Sequence, residues 1–365
     1  MDIREDSGLS EYRIYDGAGG TTESERGYRE GSHRKLLRIL VCLAAIVAAV
    51  FITLFVSNPE YSAGEILHAL FTHDTSSLIG RFVWVDMSRI AAALIAGAAL
   101  SLAGAVMQCI LRNPLASPYT LGLSNAAAFG ASFSIIFLTG DMVFDGVFGD
   151  FVTPIVSFLM SMVATGIILG LVKLTHVSSE TMVLAGIAVS AIFSAGMTLM
   201  HYIADPVQLS SIVSWTFGSV SFARWEWNGI LGALLLFCFV YFYIARWDMN
   251  AIDQGDDVAR GLGVNTDRFL VIGLVLSSVI AAAVVSQFGI IAFVGLLGPH
   301  MARILVGNDH RYLIPMSVLV GGLLLLVSNT VALNIILPQI LPVGLLTSLL
   351  GGPIFIVLLL RRFRH

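Results

Sequence analysis

Beyond residue 89 of this chain, charged residues come only at intervals, between uncharged runs long enough to cross a lipid bilayer. Residues 90–111, 151–172, 181–204 and 227–245 each hold one such run. A hydrocarbon core roughly 30 Å thick takes about 20 apolar residues of helix. Within lipid every backbone amide must find its partner inside the protein, so repeated apolar runs imply a helical bundle. The sequence therefore predicts an all-α polytopic membrane protein. Composition agrees, with 57% hydrophobic and only 12% charged residues, against about 25% charged in an average soluble domain.

Charge divides the chain into two expected regions. Residues 1–33 carry eight acids against four arginines, and the remainder balances at sixteen against sixteen. That acidic, glycine-containing tail has too few apolar residues to fold alone and reads as a disordered extension, leaving residues 34–365 as the membrane domain. The three cysteines, Cys42, Cys109 and Cys238, fall inside apolar runs and read as packing residues, neither a disulfide framework nor a metal site. The first apolar run, at 39–56, follows a long acidic stretch and precedes Asn58-Pro59-Glu60. It reads as a membrane helix and not as a signal peptide.

Ten spans account for the chain. Six lie near 39–56, 90–111, 119–138, 151–172, 182–204 and 228–245. Residues 269–302 hold no acid, lysine or arginine and break near Gln287-Phe288-Gly289 into a full helix and a short one. Residues 312–360 break at Pro338 and Pro342 into two more. On this topology thirteen basic residues of the membrane domain share one side, and only Arg81, Arg89 and Arg224 lie opposite. The positive-inside bias then places both termini in the cytoplasm of a multi-pass protein of the inner membrane. Small residues recur every four positions at Gly97, Ser101 and Ala105, and again at Gly186, Ser190 and Ser194. Such stripes let helix backbones approach closely; a polar one can also line a path.

Absences narrow the mechanism. Ion-coupled carriers bury ionisable groups at mid-membrane, whereas here acids fall at span ends or in loops. His201 and His300 are expected to be neutral and bonded to backbone carbonyls. A phosphate-cradling loop needs G-x-x-x-x-G-K-[ST], yet the one lysine beyond residue 35 is Lys173, preceded by Val172. Any ATP must be hydrolysed by another subunit, and the chain has neither an H-E-x-x-H helix nor a G-x-S-x-G elbow. Between the sixth and seventh spans, the cytoplasmic loop 247–268 carries a candidate docking helix. Asp256 and Arg260 stand four apart as a supporting pair, Gly261 and Gly263 end it, and Val258 with Leu262 forms a small apolar face.

Four segments together resemble the FecCD-type permeases, the membrane subunits of ATP-binding-cassette importers for iron–siderophore complexes, haem and vitamin B12. They are SRIAAALIAGAALSLAGAVMQCILRNPLASPYTLGLSNAAAFGA (Ser88–Ala131), GDDVARGLGVN (Gly255–Asn265), GIIAFVGLLGPHMARILVGNDHRYLIP (Gly289–Pro315) and LPVGLLTSLLGGPIFIVLLLRR (Leu341–Arg362). They occur in the family's order, and the likeness covers roughly residues 36–362. The resemblance implies ten spans and no catalysis by this chain. Its partners would be a second permease subunit, expected to be a copy of this chain though a different one is open, two P-loop ATPases that use ATP and magnesium, and an outer substrate-binding protein. No cofactor or metal belongs to the chain itself, and its other surroundings are membrane lipid, not nucleic acid. Asp256, Asp257, Val258, Arg260, Gly261, Leu262 and Gly263 would form the ATPase coupling region. Ser190, Ser194 and Met197 would line the path, and Ser178 and Ser179 would sit at the cytoplasmic gate. Arg89 would meet a glutamate of the binding protein. Where the family often has a second arginine three residues earlier, this chain has Asp86, so Arg81 or Arg224 would take that part. An iron(III)–siderophore chelate is the expected cargo, with haem, vitamin B12 and, in another class, ion-coupled secondary transport as alternatives.

Overall fold

The computed structural model describes residues 23–73, 75–139, 149–175, 179–336 and 339–362. Fourteen α-helices and one 3-10 turn, with no strand, make up the described residues. In chain order the helices are α1 (Glu23–Ser57), α2 (Ala63–Thr72), α3 (Leu78–Ile110), α4 (Leu123–Phe137), α5 (Gly149–Thr175), α6 (Ser179–Ile203), α7 (Pro206–Thr216), α8 (Trp225–Ile244), α9 (Arg246–Asp253), α10 (Asp256–Gly261), α11 (Thr266–Phe288), α12 (Val294–Val306), α13 (His310–Asn334) and α14 (Val343–Arg362). Seven are long and apolar enough to cross a membrane, and three shorter apolar helices lie at Leu123–Phe137, Val294–Val306 and Val343–Val357. Each apolar segment expected from the sequence is matched by one of these ten.

The centre of the bundle is α3, whose most apolar stretch is 83% buried, against 17% for α1 on the outside. What allows this burial is side-chain size. Gly97 and Ser101 face Gly321 and Gly298, and Gly104 faces Gly295, so closely that an added Cβ at Gly97 or Gly104 would overlap the opposing carbonyl oxygen. Ser101 Oγ donates to Ser317 O at 2.6 Å, tying α3 to α13. In a bundle surrounded by lipid, close van der Waals packing and interhelical hydrogen bonds take over from the hydrophobic drive. Outside this core, α5 turns Ile155, Leu159, Val163 and Ile167 outward, a four-residue stripe on its exposed face.

Several boundaries differ from expectation. Helix α1 begins at Glu23, well before the apolar run at 39–56, with Glu30 and Arg34 paired at 3.8 Å one turn apart. Residues 1–22 lie outside the described residues. Helix α3 starts at Leu78, so Asp86 lies inside a membrane-length helix and is buried, accepting from Asn58 at 2.8 Å and from Arg89 at 3.2 Å. The expected break between α11 and α12 is real: the chain leaves α11 through Gly289 at φ +73° and enters α12 through Phe293 at φ +66°. His201 has no carbonyl partner at Nε2, which is buried and unpaired. Pro338 falls outside the described residues, while Pro342 directly precedes α14.

The basic residues gather at the two ends as their charge pattern predicts. At one end Arg38 donates to Leu305 O, Lys35 lies 5.2 Å over the Tyr312 ring, and Arg311 lies 5.0 Å over Trp247. This mixture of cations and amphipathic rings suits a membrane–water boundary. At the other end stand Arg81, Arg89 and, at the N-cap of α8, Arg224.

Candidate functional site

The segment between α8 and α11 forms two short helices that stand on the basic end of the bundle. Helix α9 is amphipathic: Met249, Ala251 and Ile252 are buried while Trp247 is 56% exposed. Gly255, at φ +123°, allows the sharp reversal into α10. Asp256 and Asp257 occupy the first turn of α10 and Arg260 its last, charges that complement the helix dipole. The helix closes with Gly263 N donating to Arg260 O and Val264 N to Ala259 O, each at 3.0 Å, with Gly263 at φ +85°. That is a Schellman ending, in which the left-handed residue is best a glycine.

The ion pairing within this segment differs from expectation. Arg260 does not hold Asp256; it donates to Thr266 Oγ1 at 3.2 Å and pairs with Asp267 at 3.3 Å. Asp256 instead receives Arg112, the residue just past the end of α3, whose φ of +44° turns it toward α10. Arg112 Nε also donates to Ile252 O at 3.1 Å. One guanidinium thus fastens both short helices to the central helix of the bundle.

A second set of bonds fastens α9 to α13. Asn250 donates to Asp309 at 3.1 Å and accepts from His310 N at 2.8 Å. Asp253 lies 2.9 Å from His310 Nε2, and Arg311 Nε donates to Asp309 at 2.8 Å. Burial would raise the Asp309 carboxyl, but bonds from Arg311 and Asn250 outweigh it and hold it down to about 2. Between the ends of α3, α9 and α12 opens a cleft of about 750 Å³, lined by Gln108, Arg112, Asp253, His300, Arg303 and Asp309. Arg303 spans part of it to reach Gln108 Oε1.

While its underside is anchored, the outer side of α10 is bare. Val258 is 48% and Leu262 70% exposed, and nothing lies within 4 Å of where a Cβ would project from Gly261 or Gly263. Two apolar side chains presented on a fixed helix, rimmed by Asp257 and Arg260, form a contact surface of stated shape and charge.

The remaining expected site residues are spread over the bundle. Ser190 packs against Gly122, which directly follows the 3-10 turn Tyr119–Leu121, and Asn125 donates to the Ser190 carbonyl at 3.4 Å. Ser194 is exposed and Met197 half-buried, one and two turns farther along α6. Ser179 is the first residue of α6; Ser178 lies outside the described residues. Arg89 is half-buried, bonded to Asp86 and to Ser221 O at 3.2 Å. Arg81, which donates to Thr75 O at 3.3 Å, and Arg224 are the exposed arginines of that end. Sequence reasoning missed Arg112, Asn250, Asp253, Asp309 and His310 as anchors of the two short helices.

A polytopic helical bundle with a short helix pair fixed to one end is the architecture of a multi-pass membrane protein. The chain belongs to the FecCD transport family, which it matches over residues 44–361. It is 41% identical over 346 residues to an ABC transporter permease protein of Methanocaldococcus jannaschii, covering 93% of this chain and 98% of that one. It is 35% identical over 282 residues to the hemin transport system permease protein HmuU of Yersinia pestis, covering 77% and 84% of the two chains. Other relatives carry the names of iron(3+)-citrate, iron(3+)-hydroxamate and vitamin B12 import permeases. Among solved structures, one described as an inward-facing conformation of a metal-chelate type ABC transporter superposes with a TM-score of 0.77 at 28% identity, over 88% of this chain and 98% of that chain.

Proposed function

We propose that this chain is the membrane subunit of an ATP-binding-cassette importer that carries an iron(III)–siderophore-type chelate into the cytoplasm. The observation that carries this reading is the bare apolar pair Val258–Leu262 on a helix pair anchored to α3 and α13, in a chain of the FecCD family. A partner that grips α10 moves α9 with it, and through Arg112 and His310 acts on the ends of α3 and α13. The ATP and magnesium are used by that partner, a P-loop ATPase present in two copies, while the chain itself performs no chemistry. Relatives named for hemin, iron-citrate and hydroxamate support an iron chelate as cargo.

In this reading the three shorter apolar helices complete ten spans, and the end bearing α9 and α10 lies in the cytoplasm with both termini, beneath the inner membrane. Two copies of the chain enclose the path, lined by Ser190, Ser194 and Met197 of α6, with Ser178 and Ser179 at its inner gate. Closure of the ATPases drives alternating access, because the two states differ in their contacts with the coupling helices. An outer binding protein docks near Arg81, Arg89 and Arg224. Arg89 is half-buried and engaged by Asp86, whereas Arg81 and Arg224 are exposed at that end.

The test is uptake of radiolabelled iron(III) chelate into proteoliposomes holding the chain, its ATPase and its binding protein. Uptake that requires ATP, and stops when the ATPase loses its phosphate-binding lysine, is the expected result. Uptake that continues without ATP and collapses on dissipating an ion gradient would overturn the reading.

A further inference from the structure

Outside the transport path, three metal-ligating side chains from three different helices converge where α9 meets the bundle. Cys109 comes from the last turn of α3, Asp253 from the end of α9 and His310 from the start of α13. The Cys109 sulfur, an Asp253 carboxylate oxygen and a His310 ring nitrogen all lie within 4.8 Å of one another. Tetrahedral coordination, with nitrogen and oxygen at about 2.0–2.2 Å and sulfur at about 2.3 Å from the ion, needs ligand atoms roughly 3.3–3.8 Å apart. Asp253 Oδ2 and His310 Nε2 stand 2.9 Å apart, so an ion between them requires these two side chains to separate slightly.

Two further features distinguish this cluster from a chance meeting of polar side chains. The His310 side chain is fully buried, and with Nε2 facing Asp253 its Nδ1 has no partner. The Cys109 thiol faces Met249 O at 3.6 Å and also hydrogen-bonds Asp253. Of the three, Asp253 alone lines the neighbouring cleft and gives the cluster its side open to solvent. Of the nearby cations, Arg112 is paired with Asp256, while Arg303 donates to the neutral Gln108 amide oxygen and its charge also acts on Asp253 and Cys109.

We propose that Cys109, Asp253 and His310 form a binding site for a divalent transition-metal ion of the zinc type, taken from the cytoplasmic side and distinct from the transported chelate. One thiolate and one carboxylate balance the divalent charge of the ion, with a neutral imidazole as the third ligand. Thiolate and imidazole together select zinc, cobalt or iron(II) over magnesium and calcium. Because each ligand comes from a different helix, the bound ion joins α9 to both α3 and α13 and stiffens the coupling element at its root.

The experiment uses the full chain in detergent, titrated with cobalt(II) as the spectroscopic probe. One cobalt per chain with a near-ultraviolet thiolate-to-cobalt band is expected, together with a rise in melting temperature. Cys109→Ser should abolish the band. Cys42→Ser and Cys238→Ser, which alter the other two free cysteines, should leave it intact. Asp253→Asn, on the exposed rim, should weaken binding by at least about tenfold, the loss that even outer-shell changes produce at metal sites. His310→Gln should do the same, and if that buried change prevents folding, Asp253→Asn and Cys109→Ser decide the matter. A folded wild-type chain that gives no band, or a band that survives Cys109→Ser, overturns the proposal.

Discussion

Arg112 holds both short helices at once, because a single side chain meets a carbonyl of α9 and a carboxylate of α10. Its ion pair with Asp256 is solvent-exposed and so contributes little to stability, about 0–1 kcal/mol. The bond to the Ile252 carbonyl is charge-assisted and worth more, about 1.5–3 kcal/mol. Arg112→Ala should therefore leave the bundle folded but loosen the short helices. Uptake per ATP hydrolysed should fall about tenfold, the factor that roughly 1.4 kcal/mol of lost positioning represents; parallel assays of ATPase and uptake in proteoliposomes check it.

Asp309 provides a pH test at the same scale. Its folded value of about 2 lies below the ordinary 3.8, so its contribution to stability is present in full above the unfolded value. That contribution is lost as pH falls from about 4 toward 2. Wild type should exceed Asp309→Asn in melting temperature at neutral pH, and the gap should narrow through this window; a gap independent of pH would contradict the assignment. None of these anchors was legible in the sequence. Arg112 stands 140 residues from Ile252, and His310 stands 57 from Asp253, and residue spacing carries no information about contacts that only the fold creates.

At the scale of elements, α3 and α10 make opposite demands on side-chain size. Gly104 meets the backbone of Gly295, whereas Gly166 in α5 has open space around it. Gly104→Leu should lower the thermal midpoint, since forced overpacking costs about 1–3 kcal/mol or more. Gly166→Leu should leave it nearly unchanged. Equal effects of the two would remove the close-approach account of α3. For α10 the demand is for exposed apolar surface. Replacing both Val258 and Leu262 with Asp should abolish ATP-driven uptake while the purified chain keeps its melting temperature, because both side chains already face solvent.

The apolar segments were legible because lipid leaves only one backbone solution to a long uncharged run. The extra helices α2 and α7 carried a local signal that an apolar-run count passes over: Ser62 with Glu65, and Asp205 with Gln208, each form a capping box at a helix start. Helix α10 was legible from Asp256 to its glycine ending, but the partner of Asp256 was not. A carboxylate four residues from an arginine has a local option, and here Arg112 and Asp267 draw the two charges apart.

For the whole molecule, the surface itself argues for further chains. One face of α5 and much of α6 are apolar and exposed, with Leu184, Ile187, Ile192 and Leu199 prominent on α6. Lipid covers part of this, and in the proposed assembly a second copy covers the rest around the path. In the same proposed assembly the basic end presents α10 to a cytoplasmic motor, and the other end presents Arg81 and Arg224 to an outer protein. The central claim is that this chain is driven through α10 by a separate ATPase. Purification in mild detergent from native membranes, with every co-purifying chain identified and quantified, tests it most directly. The account predicts a P-loop ATPase in equal number to this chain, lost when Val258 and Leu262 are both replaced by Asp. A stable oligomer of this chain alone, under conditions that keep known ATPase–permease complexes intact, would contradict it.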